Sequence, residues 1–313
     1  MNPHAHLLTP RMAGVLERIR RAKRPPFHAL TVEQARTAYE LGAEVLDLPR
    51  APLHRVDRLE LPGADGTLLA ARHYLPGPAP CGTLLYLHGG GFTIGGLATH
   101  DSLCRQLALH SGAGVLSLDY RLAPEHRFPA AVDDTWAVLR RLAQGALPGV
   151  DPQRLAIGGD SAGGTLAAVG ALLARDAGLP LRAQLLITPG TAAQADSASH
   201  RLFANGFLLD AATIEWFFDH YIDRAQRHDW RFAPLEAPEL EGVAAAVVIL
   251  AECDPVVDEG LAYADRLRAA GVPVALDLVR GVTHDFIKMG RVLEEARAAH
   301  AFAGAALRRA FEP

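Results

Sequence analysis

Ser161 sits at the centre of Gly159-Asp160-Ser161-Ala162-Gly163. An apolar stretch, Leu155-Ala156-Ile157-Gly158, precedes it, and an alanine-rich one, Thr165-Leu166-Ala167-Ala168, follows. The pattern predicts a strand, a tight turn and a helix, with the serine hydroxyl presented at the apex. A serine hydroxyl is a weak nucleophile. It needs an adjacent base, open access and hydrogen-bond donors for the oxyanion it creates. In a chain this rich in small residues the pentapeptide alone says little, so its weight comes from what accompanies it.

Histidine is the side chain whose ordinary pKa, roughly 6.5, makes it a base near neutral pH. His284 is the candidate that would take the Ser161 proton and return it to the leaving group. Asp254 would hold the imidazole in one tautomer and stabilise its charged form. The backbone amides of Gly89, Gly90 and Ala162 are the candidate oxyanion donors. His88-Gly89-Gly90-Gly91 lets a substrate approach where a Cβ would collide. The chain order is serine, acid, histidine.

These residues must be brought together by the elements around them. Apolar runs of strand character fall at Thr83–Leu87, Val115–Leu118, Leu155–Gly158, Leu185–Thr188, Val247–Ala251 and Val274–Val279. Helical stretches alternate with them at His100–Ser111, Ala130–Gln144, Ala162–Ala177, Glu259–Ala270 and Val292–Arg309. That alternation predicts an α/β fold, a mostly parallel sheet of about eight strands covered by helices on both faces. A hairpin at Val56–Leu61 and Leu68–Tyr74, turning at Gly63-Ala64-Asp65-Gly66, precedes it. In such sheets ligands bind beyond the C-terminal strand ends. His88, Ser161 and Asp254 each follow a strand there, and His284 follows the last one across a short loop containing Gly281.

Residues 1–52 read as a helical cap segment. Met12, Val15, Leu16 and Ile19 recur at helical spacing, and Thr31 with Gln34 forms a capping box. The basic run Arg20, Arg21, Lys23 and Arg24 reads as a solvated helix end. The catalytic domain spans 53–313. An insertion around 190–238 breaks the alternation and carries Phe203, Phe207, Trp216, Phe217, Phe218, Tyr221, Trp230 and Phe232, a second helical contribution to the cap.

Half of the 313 residues are hydrophobic and the net charge is −4, with both signs interspersed, so a nucleic-acid partner is not expected. Three scattered cysteines, Cys81, Cys104 and Cys253, form neither a disulfide framework nor a metal pair, and fit reduced structural thiols in a cytoplasm. The start, Met1-Asn2-Pro3-His4-Ala5-His6, has no leader pattern. The longest apolar run, Val243 to Ala251, falls far short of the roughly 20 residues that span a bilayer. His4 and His6 read as a mobile terminus. No metal and no cofactor are expected.

Together, His88-Gly89-Gly90-Gly91-Phe92, Asp119-Tyr120-Arg121-Leu122-Ala123-Pro124-Glu125, Gly159-Asp160-Ser161-Ala162-Gly163-Gly164, Asp254-Pro255-Val256-Val257-Asp258-Glu259 and His284-Asp285-Phe286 closely resemble the hormone-sensitive-lipase family of bacterial esterases, in its G-D-S-A-G branch. The resemblance runs from about Leu68 to the C-terminus. It implies an α/β-hydrolase fold, hydrolysis of short acyl esters through an acyl-enzyme without a cofactor, and an N-terminal cap. It also implies a Ser161–Asp254–His284 triad and an oxyanion hole at Gly89, Gly90 and Ala162. An amidase, lactonase or arylformamidase on the same scaffold remains open. So does a ligand-binding receptor like the plant gibberellin receptors, which resemble this family without its catalytic histidine.

Two departures stand out. Asp285 follows the histidine where the family usually has glycine; its carboxylate could raise the imidazole pKa or face solvent, and the second is the expectation. Thr188-Pro189-Gly190 replaces a tyrosine or serine before the proline. Tyr120, Arg121 and Glu125 are expected to brace the oxyanion loop, His88 to do likewise through a backbone hydrogen bond, Asp160 to brace the turn, and Glu252 or Asp258 to orient the Asp254 loop, with Asp258 alternatively capping the helix after it. The last strand and C-terminal helix offer an edge through which two copies could pair as a homodimer.

Overall fold

The computed structural model describes residues 3–312; Met1 and Asn2, part of the leader reading, and Pro313 lie outside them. The strands are β1 (Arg55–Pro62), β2 (Leu68–Leu75), β3 (Thr83–Leu87), β4 (Gly114–Leu118), β5 (Leu155–Asp160), β6 (Ala183–Ile187), β7 (Ala246–Cys253) and β8 (Val274–Thr283). They form one sheet in the order β1-β2-β4-β3-β5-β6-β7-β8. The β1–β2 and β2–β4 pairs are antiparallel and every later pair is parallel. The mostly parallel sheet is the one expected from the alternating runs, and its arrangement is the α/β-hydrolase architecture that the resemblance implies.

Side chains on successive strand residues point to opposite faces, and the core divides accordingly. Leu85, Leu87, Leu116, Leu118, Leu155 and Ile157 face one side. There they meet α4 (Ala130–Ala143), α5 (Ala162–Asp176) and α8 (Val257–Ala269). Leu84, Tyr86, Val115, Ala156, Leu185 and Ile187 face the other. Their partners are α1 (Pro10–Arg21), α3 (Asp101–Ser111) and α9 (Glu294–Phe311). Because both faces are covered, the central strands carry unbroken apolar runs rather than alternating ones.

The N-terminal residues serve two places. α1 buries Met12 and Val15 beside β8, with the Thr9 amide donating to the Gly281 carbonyl at 2.9 Å. The helix α2 (Val32–Ala43) starts at the capping box read from Thr31 and Gln34. Its Ala35 packs on Ile94 and on Phe217 of α7 (Ala211–Tyr221). The insertion also holds the short α6 (Ala198–Leu202). Arg20 and Arg21 pair with the exposed Glu17, as a solvated helix end should. His4, expected on a mobile terminus, lies in a 3-10 turn with its ring centroid 6.4 Å from that of Phe203. No helix among the described residues is long and apolar enough to cross a membrane.

β8 differs from its expected course. It runs to Thr283, four residues beyond Val279, and Gly281 lies within it. The register shifts between Ala251 and Cys253, and Cys253 pairs with Thr283. Gly281 adopts φ +67° there, and Glu252 accepts its amide hydrogen at 2.8 Å. An irregularity of this kind absorbs a break in an apolar run, so the strand delivers His284 directly.

Candidate active site

Ser161 joins the end of β5 to the first residue of α5, with φ +53° and ψ −122°, a conformation a non-glycine residue holds only when its surroundings fix it. The surroundings do so. The Ser161 amide donates to the Ile187 carbonyl at 2.8 Å. Gly163 lies so close to Leu87 that a Cβ would overlap its carbonyl oxygen. Glycine is required by that approach, and it allows α5 to start hard against β3.

His284 presents Nε2 to Ser161 Oγ at 2.9 Å and Nδ1 to Asp254 Oδ2 at 2.7 Å. A carboxylate only accepts, so Nδ1 carries the proton and Nε2 faces the hydroxyl. Asp254 is fully buried at the end of β7, and its Oδ1 accepts the Val256 amide at 3.1 Å. Burial disfavours a charged imidazole. The Asp254 carboxylate outweighs that, Asp285 and Asp160 add to it, and His284 is raised to about 9.

The glycine loop leaves β3 through His88. Its Nδ1 donates to the Gly89 carbonyl at 2.8 Å, the backbone bond expected of it, and its ring stacks on Tyr120 at 4.4 Å. Tyr120 in turn donates to the His88 carbonyl at 2.6 Å. The amide of Gly89 points inward to Asp160 Oδ1 at 3.1 Å. The Thr93 and Ile94 amides close the loop onto the Gly90 carbonyl at 3.0 and 2.9 Å. The amides of Gly90 and Gly91 take no protein acceptor among the described residues. Ala162, at the first position of α5, has an amide that helix geometry leaves unpaired.

Asp160 braces the elbow: Tyr86 Oη donates to it at 2.6 Å and His100 Nε2 lies 3.2 Å away. Burial alone would raise this carboxyl; the His100 and Lys288 charges and the Tyr86 bond hold it far below its ordinary value. Arg121 clamps Asp134, with Nη2 at 2.8 Å, so it braces the β1–β2 turn rather than the glycine loop. Glu125 pairs with Arg36 of α2. Asp258 lies inside the first turn of α8 and accepts the Ser199 amide at 2.8 Å, so it anchors α6 instead of capping its own helix. Asp285 does not simply face solvent. It takes a left-handed φ of +64° and turns its carboxylate to Lys288, 3.5 Å away. Thr188 is buried, also at positive φ. Cys253 is buried, and burial pushes its thiol up to about 11, which keeps it neutral and unreactive.

Three polar residues near the site were not read from the sequence. His100 had been read only as a helix start. Glu259 is buried in α8, accepts the Thr191 amide at 2.6 Å, and is pushed up to about 8 by burial. Lys288 is buried four residues after His284. Local pattern carries no signal for any of them, because each also meets a partner from a distant element: Asp160 for His100, Thr191 for Glu259 and Tyr39 for Lys288.

The chain matches the family model of the alpha/beta hydrolase fold over residues 84–288. It is 42% identical over 280 residues to the ethyl acetate hydrolase of Pseudomonas putida, covering 87% of this chain and 88% of that one. It is likewise 42% identical over 233 residues to the carboxylesterase NlhH of Mycobacterium tuberculosis, covering 72% and 73%. Among solved structures, an alpha/beta hydrolase enzyme from the metagenome of Lake Arreo superimposes with a TM-score of 0.93 at 37% identity over 98% of this chain and 99% of that one. The hyperthermophilic esterase of Pyrobaculum calidifontis does so with 0.90 at 35% identity over 96% and 98%.

Proposed function

The chain belongs to the hormone-sensitive-lipase family of α/β-hydrolase esterases and hydrolyses carboxylic esters, and from that premise we propose that Ser161, His284 and Asp254 carry the reaction through an acyl-enzyme. The observation that carries this reading is the unbroken relay from Ser161 Oγ through His284 to Asp254, with spacings of 2.9 and 2.7 Å.

In this mechanism Oγ attacks the ester carbonyl carbon while Nε2 takes its proton. The imidazolium so formed is stabilised by Asp254, which keeps its own charge. The tetrahedral oxyanion collapses, the C–O bond to the alcohol breaks, and the imidazolium protonates the leaving oxygen. Water, deprotonated by His284, then attacks the acyl-serine and releases the acid. The oxyanion donors are Ala162 and Gly90, as expected from sequence, with Gly91 in place of Gly89. The Gly89 amide serves Asp160, whereas those of Gly90 and Gly91 are uncommitted.

Residues up to 52 and the insertion around 190–238 act as the cap. α2 and α7 meet over Ile94 of the glycine loop, and the Phe217 ring lies against Gly91. A bulky ring so close to the loop favours short acyl groups. The protein works in the cytoplasm, consistent with its three free cysteines. β8 is a sheet edge with half-buried Val274–Val279, the surface on which a homodimer would form.

The test is a fluorophosphonate adduct mapped by mass, together with Ser161→Ala assayed on p-nitrophenyl butyrate. The adduct is expected on Ser161, and the variant should lose several orders of magnitude in kcat. A folded variant with undiminished turnover overturns the assignment.

A further inference from the structure

A lysine ammonium beneath the site has no place in the mechanism just given. Lys288 lies in the 3-10 turn Phe286–Lys288, and its side chain is 5% exposed. Burying an ammonium costs several kcal/mol unless charges and hydrogen bonds compensate. Among the described residues its side chain has two direct partners. Tyr39 Oη of α2 is within hydrogen-bond contact, and Asp285 Oδ2 is 3.5 Å away. The Lys288 amide also donates to the Asp285 carbonyl at 3.0 Å, which closes the turn immediately after His284.

We propose that Lys288 is a positioning residue for ester hydrolysis, whose ammonium holds Asp285 in the left-handed turn that aims the His284 imidazole and offsets the negative charge gathered around that ring. Tyr39 completes the arrangement from the N-terminal segment. α2 is therefore part of the site's floor as well as its cover. This inference rests on the proposed role of His284.

The charge pattern supports it. The groups facing His284 are Asp254 at the end of β7, Asp160 at the end of β5, Asp285 on its own loop and Glu259 from α8. All are carboxyl groups, and Lys288 is the cation set among them. Burial acts against its charge, but Asp285 and Asp160 outweigh burial and keep the amine protonated. The same ammonium acts on Asp160, which precedes Ser161, and on Asp47, a buried carboxyl just after α2 that burial pushes up to about 6. Tyr39 also brings its ring to within 6.5 Å of His100, the residue that hydrogen-bonds Asp160. One cation thus touches the histidine loop directly and acts on the carboxyl that precedes the nucleophile.

The experiment compares wild type, Lys288→Met, Lys288→Arg, Tyr39→Phe and Asp285→Asn on p-nitrophenyl butyrate, with kcat and KM measured from pH 5 to 10. In Lys288→Met the carboxylates act on the imidazolium unopposed, so the acidic limb of kcat/KM should move up by about one pH unit. kcat should fall at least tenfold with little change in KM. Lys288→Arg should restore much of kcat. Tyr39→Phe should move the limb in the same direction by less. Asp285→Asn should move it down. A folded Lys288→Met with the wild-type limb and kcat overturns the inference. If Lys288→Met does not fold, an unmoved limb in Asp285→Asn does so instead. Failure of the underlying reading is separate, since it would show as a wild-type enzyme that takes no phosphonate on Ser161.

Discussion

Gly89 gives its amide hydrogen to the carboxylate of Asp160, 3.1 Å away. Asp160 directly precedes Ser161, and Gly89 opens the glycine loop. The nucleophile's turn and the loop are therefore joined by a charge-assisted hydrogen bond between strands β5 and β3. This bond commits the first amide of the loop to structure, while the next two have no protein acceptor among the described residues.

Replacing Asp160 with Asn should test that joint. Asp160 accepts from Tyr86 and Gly89 and faces His100 at 1% exposure. An amide in its place would turn an NH2 group toward one of these donors and leave the Lys288 ammonium without this counter-charge. The expected cost is about 3 kcal/mol near neutral pH. The folded carboxyl lies below its unfolded value of about 3.9. Its stabilisation is therefore present above that value and lost as pH falls through the folded one. Urea unfolding at pH 7 and pH 3 should show the gap between wild type and variant narrowing in acid. An equal gap at both pH values counts against the charged role.

The pH profile of turnover should sit higher than an ordinary histidine would place it. With His284 raised to about 9, the free base becomes available only as pH rises through that value, so kcat/KM should still be climbing between pH 7 and 9. Stability runs the other way. The folded value lies above the unfolded value of roughly 6.5. The stabilisation from the His284–Asp254 pair is complete below that and lost as pH rises through about 9. Glu259 titrates at about 8 nearby. Glu259→Gln should keep the climb if His284 is its source. A plateau already reached at pH 7 refutes the raised imidazole.

The elements of the sheet were legible because their apolar runs are short, unbroken and separated by helix-length stretches. β3 matches its expected span residue for residue, and most others agree to within two. That Ser161, Asp254 and His284 would meet was legible because each follows such a run. The environment of the site was not. Lys288 looks like an ordinary solvated lysine in Phe286-Ile287-Lys288-Met289, but it is buried and meets Tyr39, which arrives from α2. Asp285 was read as solvent-facing because adjacent side chains on an extended loop diverge, but the left-handed turn at that residue directs it to Lys288. The Gly89 amide was assigned to the oxyanion from its place in a glycine run. Its true direction depends on Asp160, which is 71 residues away.

The same substitution, glycine to alanine, should have opposite signs at two positions. At Gly163 a Cβ would overlap the Leu87 backbone, so the variant must push α5 away from β3. Overpacking of this kind costs about 1–3 kcal/mol or more, and it should also displace Ser161 and depress kcat. Gly14 lies within α1 with nothing within 4 Å of its Cβ position. Alanine there should stabilise by about 0.5–1 kcal/mol and leave kcat alone. Paired thermal melts and assays decide the matter, and a Gly163→Ala enzyme of normal stability would mean the elbow is less tightly packed than described.

Arg36 is where the N-terminal segment grips the glycine loop. From α2 its guanidinium donates to the Thr93 carbonyl and to the Ala123 carbonyl, both at 2.9 Å, and to both oxygens of Glu125 at 2.9 and 2.7 Å. Glu125 is more than half exposed, so the ion pair itself is screened and adds little. The two carbonyls matter more, because they belong to the loop that carries Gly90 and Gly91 and to the segment that braces it. Arg36→Ala removes their donor and should cost about 1–3 kcal/mol, with kcat reduced as the loop loosens. Glu125→Ala should cost well under 1 kcal/mol and leave kcat close to wild type. The comparison separates the two contributions of one side chain. If both variants lose the same stability and the same kcat, the surface ion pair, not the backbone clamp, is what ties α2 to the site.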